Sequence, residues 1–558
     1  MGETESQVRT KTRLEKDLLG SREVPEDAYY GIQTLRSAEN FQITGLRMHP
    51  ALVTSFAMVK KAAAVANMRM GYLQKDIARA IVQAADEVIA GGLRDQFIVD
   101  VIQGGAGTSM NMNVNEVLAN RAIEILGGRK GQYEIVHPLN HVNMSQSTND
   151  VFPTAAKLAM LQQIHPAIKA LTRLVHALRE KSEEFRDVIK MGRTHLQDAV
   201  PITLGQEFGA YAGAVKRDLE RIARSADGLL AINMGATAVG TGLNADPEYM
   251  RLVVEELENI TGYALRLAEN LVDATQNVDL FTDVSSSIKM CAITLSKIAS
   301  DLRLLASGPF AGLKEINLPP VQPGSSIMPG KVNPVIAEAV NQAAFQIIGN
   351  DVTIMLAAQA GQLELNVFEP VLVFNLLQSI DILKNAVNMF VDRCVTGITA
   401  NEDRCRAVVE NNVGILTALN PYLSYDTVSA IAKEALASGK PVRDLVLQTG
   451  LLTEDELGLI LSPEQMTRPG IPGARKLREK LLSFGRREAR TVAGTPGSGG
   501  LESKTAAPPV SGPGPGTGLA VGVTPGPGPV RESAAERETP GPGRATEPGP
   551  EQAQGQAS

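Results

Sequence analysis

The stretch Gly324-Ser325-Ser326-Ile327-Met328-Pro329-Gly330-Lys331-Val332-Asn333-Pro334 puts two adjacent hydroxyls, a lysine and an asparagine on one glycine-flanked segment. Gly324 and Gly330 permit backbone angles that other residues resist. Asn333-Pro334 reads as a helix N-cap followed by the first helical residue, where a missing N–H costs nothing. A flexible loop with serine at its tip thus feeds a helix start, with a cation between them, and that combination suits a small anion. The nearest phosphate-binding pattern is G-x-x-x-x-G-K-[ST]. Two departures exclude it: five residues separate Gly324 from Gly330, and Val332 stands where a magnesium-holding hydroxyl is required.

Three further segments share this character. Gly104-Gly105-Ala106-Gly107-Thr108-Ser109 precedes a helical pattern from about Met110 to Leu126. Ser147-Thr148-Asn149-Asp150 precedes the helix expected after Pro153, and Thr194-His195 lies in the loop before a helix opened by Thr203. Each sets small hydroxyl or amide side chains at or near a helix N-terminus, where orphan N–H groups and the positive dipole end attract anions. Singly, each is also explained by plain capping, because Ser, Thr and Asn are what helix starts favour. Spacing alone does not bring the segments to one place. His137 and His141 are four apart with no third ligand, which reads as structural, and no metal site is expected.

The loop from Gly324 to Pro334 resembles the signature of the aspartase/fumarase superfamily, with the Pro-Gly-Lys-Val-Asn-Pro ending of its aspartase and fumarase branch. The argininosuccinate and adenylosuccinate lyases are less similar, since they usually differ at the positions of Gly330 and Val332. The resemblance runs from about Arg22 to about Ile471. It implies a mainly α, three-domain fold around a central long-helix bundle, a homotetramer, and a pocket assembled from segments of three subunits. Thr108, Ser147, Thr148, Asn149, Thr194, His195, Ser325, Ser326, Lys331 and Asn333 hold the residue types of substrate-contacting positions, and Glu338 matches the acid that orients the histidine.

The implied reaction is reversible anti-elimination of ammonia from L-aspartate, giving fumarate and ammonium without a cofactor. Its hard step removes a proton beside a carboxylate, which then gathers two negative charges. Donors aimed at that carboxylate in a dry site lower the barrier most. Thr108, Ser147, Thr148 and the Ser326 segment are the candidates, while Lys331 and Asn333 would clamp the other carboxylate. Ser325 is the expected base on a mobile loop, its alkoxide stabilised by loop N–H groups and Lys331. Closure of that loop over substrate would exclude water. His195 and Asn149 would position the amino group, which is already protonated, departs as ammonia and needs no strong acid.

Two stretches favour the aspartase side over the alternative, a fumarate hydratase interconverting malate and fumarate. Gly105-Ala106-Gly107-Thr108-Ser109 resembles aspartases, whereas fumarases usually carry Gly-Ser-Gly-Thr-Gln. Glu369, ending Gly361–Glu369 before Pro370, is acidic where fumarases tend to be basic. Leu139 departs from the polar residue common in fumarases near their second anion site, so that site is not transferred. A non-catalytic structural relative would be expected to lack Ser325, Lys331 or His195, and all three are present.

The chain has 558 residues, too many for one compact core. A net charge of −7 without a long basic run, no tryptophan and 4% aromatics argue against nucleic acid as partner. Cys291, Cys394 and Cys405 are widely spaced with no C-x-x-C, which fits a reducing, cytoplasmic setting. No run approaches membrane-spanning length, so no membrane partner is expected.

Residues 1–146 read as a mixed, mostly helical N-terminal domain, poorly ordered to about residue 20, with helices at Ala51–Gly71 and Leu73–Gly91. Residues 147–400 read as the bundle. There Val284, Ile288, Cys291, Leu295, Ile298, Leu302 and Leu305 alternate gaps of four and three, the seam of a packed helix. Thr203 and Gln206 have capping-box spacing, a helix follows Asn333, and another covers roughly Pro370–Val391. Residues 401–482 read as a small helical domain with a capping box at Thr453–Glu456. Residues 489–558, rich in Pro-Gly pairs and without aromatics, cannot bury enough surface to offset chain entropy and read as a disordered tail.

Overall fold

The computed structural model describes residues 11–484, so the expected Pro/Gly-rich tail lies outside the described residues. The described residues open on an antiparallel hairpin, β1 (Thr12–Asp17) and β2 (Gly20–Pro25), so residues 12–20 of the stretch expected to be poorly ordered are structured. These strands are polar, but the Arg13 guanidinium donates to the carbonyls of Pro25, Ala28 and Tyr30 at 2.7–2.8 Å, which ties the hairpin down. Helices α1 (Ile32–Asn40), α2 (Pro50–Arg69), α3 (Lys75–Ile89) and α4 (Thr108–Ile125) follow. Then come α5 (Thr148–Glu184), a second hairpin of β3 (Ile189–Thr194) and β4 (Gln197–Thr203), and α6 (Leu204–Gly228).

After α7 (Pro247–Thr261) and the short α8 (Leu271–Gln276), three long helices complete the centre: α9 (Asp279–Leu305), α10 (Val335–Gln359) and α11 (Glu369–Arg393). Their packing closes a ring, α5 on α6, α6 on α9, α9 on α10, α10 on α11 and α11 back on α5. The seven seam residues of α9 are at most 5% exposed, as their spacing predicts. At about 1.5–3 kcal/mol for each fully buried apolar side chain, that seam alone contributes on the order of 10 kcal/mol before chain entropy is set against it. One continuous core runs from Met48 to Cys405. The short helices α12 (Glu402–Glu410), α13 (Tyr425–Ser438), α14 (Val442–Gln448), α15 (Glu454–Ile460) and α16 (Pro463–Met466) enclose a separate core from Val409 to Ile460, joined by Met191 of β3.

The capping boxes at Thr203–Gln206 and Thr453–Glu456 both form. Two helix starts differ from expectation. Helix α5 begins at Thr148, ahead of Pro153, because Ser147 and Asp150 make a capping box. Pro153 lacks the N–H that would bond Asn149 O, and Asn233 Nδ2 supplies that bond from outside at 3.1 Å. Helix α10 begins at Val335 with Pro334 in the cap position. Asn333 does not cap it, because its amide turns back to Gly324 O at 2.8 Å.

Candidate active site

The Ser325 segment forms a loop pinched at its neck. Gly324 N donates to Lys331 O at 2.8 Å, beside the Asn333 bond. A Cβ at Gly324 would sit 2.6 Å from Lys331 O, so glycine is required there for close approach, whereas Gly330 has φ +79°. At the tip, Ser325 Oγ accepts the N–H groups of Ile327 and Met328 at 3.2 and 3.0 Å. Two donors aimed at one hydroxyl oxygen stabilise negative charge on it. Lys331 is exposed on the same loop, and a hollow of about 530 Å³ is lined by Ser325, Met328 and Lys331.

The segments before α4 and α5 meet. Gly107, at φ +85°, turns the chain into α4, and Phe152 lies so close that a Cβ would stand 2.1 Å from its ring. Thr108 Oγ1 donates to Gly105 O at 2.7 Å, and Asn111, one turn on, donates to Thr148 Oγ1 at 3.1 Å. The start of α5 is pinned from beneath by Asp150, which is fully buried. Its carboxylate accepts the N–H groups of Ser147 (3.0 Å), Gly235 (3.2 Å) and Thr237 (3.0 Å). Burial pushes the Asp150 pKa up to about 7, against the pull of those donors and of Lys60. Asn149 Nδ2 donates to Ala238 O at 2.7 Å, which leaves its Oδ1 as an acceptor.

Thr194 and His195 do not precede a helix start directly. They form the tip of the β3–β4 hairpin, where His195 (φ 55°) and Leu196 (φ 59°) are both left-handed. Two such non-glycine residues in succession cost on the order of 1 kcal/mol each, so the hairpin needs anchoring. Glu315, with no exposed surface, takes Lys190 at 3.0 Å and Arg193 at 2.7 Å, and Lys190 also reaches Glu207 at 2.9 Å. His137 and His141 are spent locally: His137 Nδ1 accepts the N–H groups of Leu139 and Asn140, and His141 Nδ1 accepts that of His137.

Within one chain, then, the start of α4, with Thr108, meets the start of α5, with Ser147, Thr148 and Asn149, through the Asn111–Thr148 bond. Among the described residues no hydrogen bond or ion pair joins those helix starts to His195, to Ser325 and Ser326, to Lys331 and Asn333, or to Glu338 on α10. Asp150, Glu315 and Lys60 went unremarked in the sequence. Asp150 had a legible signal, since it lies three residues beyond Ser147, as a capping box requires. Glu315 and Lys60 had none, because their partners are distant in the chain.

A family model described as Lyase matches residues 20–349, and a second, described as Fumarase C C-terminus, matches residues 415–468. An aspartate ammonia-lyase from Bacillus sp is 58% identical over 466 residues, covering 84% of this chain and 100% of the relative. The chain belongs to the aspartase/fumarase superfamily of lyases. Within that superfamily it groups with the aspartate ammonia-lyases, which are carbon–nitrogen lyases. One from Bacillus subtilis (strain 168) is 59% identical over 468 residues, covering 84% of this chain and 98% of the relative. A crystal structure of a fumarate lyase:delta crystallin from Brucella melitensis bound to cobalt superposes with a TM-score of 0.80 at 51% identity, covering 82% of this chain and 100% of that one. The ring of long helices is thus the superfamily's mainly α fold.

Proposed function

We propose that the protein catalyses the reversible loss of ammonia from L-aspartate to give fumarate, with Ser325 as general base on a mobile loop. The observation that carries this reading is the pair of N–H groups on Ser325 Oγ with Lys331 on the same loop, which favours an alkoxide. The names of the similar proteins support aspartate as the substrate. In the forward step the C3 proton passes to Ser325 Oγ. A C2–C3 double bond forms as the C–N electron pair leaves with nitrogen from the substrate's –NH3+ group, releasing NH3, which takes a proton from water to become ammonium. Thr108, Ser147, Thr148 and Ser326 donate to the carboxylate that gathers charge, and Lys331 and Asn333 hold the other one. The free Oδ1 of Asn149 accepts from the substrate ammonium, with His195 beside it and Glu338 orienting the imidazole.

This chemistry requires segments from more than one chain, so we infer a homotetramer with shared sites. Exposed apolar side chains along α9 and α10 support it: Met290, Ile293, Phe345 (60% exposed), Val352 and Met355 need cover. No helix among the described residues is long and apolar enough to cross a membrane. The three buried free thiols support a reducing compartment, and we propose the cytoplasm. The decisive experiment follows ultraviolet absorbance of fumarate. Release from aspartate, and its consumption only when ammonium is present, is expected. Malate formed from fumarate without ammonium would replace this reading with the hydratase.

A further inference from the structure

We propose that Lys60, Asn143 and Asn111 form a buried relay that fixes the Thr148 hydroxyl as a hydrogen-bond donor to the substrate carboxylate. The inference rests on the functional reading above and assigns three positioning residues to it. Lys60 lies on α2, fully buried, where burial lowers its pKa to about 7 against the opposing pull of Asp150, and its amine donates to two amide oxygens. Its Nζ is 2.8 Å from Asn143 Oδ1 and 2.9 Å from Gln146 Oε1. The Asn143 amide is therefore turned with oxygen toward the lysine, and its nitrogen donates the other way, to Gln146 O at 3.2 Å.

That orientation dictates the next one. Asn143 Oδ1 also lies 3.1 Å from an amide nitrogen of Asn111 and 3.1 Å from one of Asn115. An oxygen that faces a lysine can receive only donors from its other neighbours, so Asn111 must present NH2. The same Asn111 nitrogen reaches Thr148 Oγ1 at 3.1 Å. Thr148 thus accepts from Asn111 and cannot point its own proton there. The proton is directed away from the buried amides, on the first residue of α5, a half-buried position beside Asn149.

Lys60 and Asn111 both donate to Asn143 Oδ1, and Asn111 donates on to Thr148 Oγ1. Each bond in such a network sets the direction of the next. A hydroxyl whose direction is set before substrate arrives needs no reorientation in the transition state, which is what makes such a donor effective. Asn111 is 2% exposed, so solvent cannot re-aim it.

The test compares Thr148→Ala, Asn111→Asp and the double variant in the full-length protein, measuring kcat and KM for aspartate and the melting temperature. Asn111→Asp keeps the shape of the side chain but replaces the donor with an acceptor, which recruits the Thr148 proton. Thr148→Ala should lower kcat about a hundredfold, the usual effect of losing one such donor, with KM little changed. Asn111→Asp should match it, and the double variant should be no slower than either by more than about twofold, since both remove the same donor. Losses that multiply in the double variant would overturn the relay, as would an Asn111→Asp enzyme that keeps parental kcat while Thr148→Ala does not. A Thr148→Ala enzyme with parental kcat would instead defeat the assignment of Thr148 as a substrate donor. If Asn111→Asp does not fold, Lys60→Met in the Thr148→Ala background decides the matter. No further loss of kcat is expected there, and a further tenfold loss, well beyond additive scatter, would refute the relay.

Discussion

Replacing Ser325 with alanine separates chemistry from stability more sharply than any other single change. In the folded protein Ser325 Oγ accepts two N–H groups at 3.2 and 3.0 Å, both from its own loop. These donors lie on exposed residues and rehydrate once the oxygen is gone, so the fold should lose less than about 1 kcal/mol. The same atom is the proposed base for the C3 proton. A positioned base contributes about 10²–10⁴ in rate, or roughly 3–5 kcal/mol of barrier at 1.36 kcal/mol per factor of ten. Ser325→Ala should therefore lose about a hundredfold to ten-thousandfold in kcat while melting within a few degrees of the parent. Initial rates of fumarate release and a thermal melt on the same sample measure both. A variant within tenfold of the parent would refute the base assignment. A large fall in melting temperature would show that the loop serine supports the fold, contrary to the argument.

Other outcomes follow from the same geometry. Asp100 accepts N–H groups from Ile43, Thr44, Gly45 and Ile102 and the Thr44 hydroxyl, all at 2.7–3.1 Å. Burial opposes its charge, yet those hydrogen bonds outweigh burial and hold its pKa below the ordinary value. A depressed carboxylate stabilises the fold fully above its unfolded pKa, about 4, and loses that contribution as pH falls through the folded value. Asp100→Asn should thus cost about 1–3 kcal/mol near neutral pH and progressively less in acid, as urea melts across pH would record. Gly107→Ala should be among the more damaging glycine changes, by 2 kcal/mol or more on the order-of-magnitude scale for a forbidden φ with a clash. The Cβ meets Phe152 at 2.1 Å, and Thr108 must shift with it, so activity should fall with stability. Mixing the slow Ser325→Ala and Thr148→Ala proteins, then unfolding and refolding them together, should raise activity well above either alone if sites are shared between subunits. No recovery in the co-refolded mixture would mean that one chain supplies both residues.

Much of this architecture was legible from local pattern. The four-three spacing of Val284 to Leu305 is a helix seam, because a helix returns to the same face every 3.6 residues, and all seven side chains are buried. Both predicted capping boxes involve residues three apart, which is why they were readable and why they form. The serine loop is likewise local: the two N–H groups on Ser325 Oγ come from residues two and three positions on.

What the tertiary structure decided lies beyond that reach. Strand pairing of Ile189–Thr194 with Gln197–Thr203 turns Thr194 and His195 into a hairpin tip, and Glu315, far along the chain, anchors it. Asn233 completes the bond that Pro153 leaves open, so α5 starts at Thr148 and carries Thr148 and Asn149 on its first turn. Lys60 sits in an apolar helix as an ordinary lysine until folding brings Asn143 and Gln146 to it. Helix periodicity and capping are written in neighbouring residues. The partner of a buried charge, the register of a hairpin and the aim of a hydroxyl depend on residues that only folding brings within hydrogen-bond distance.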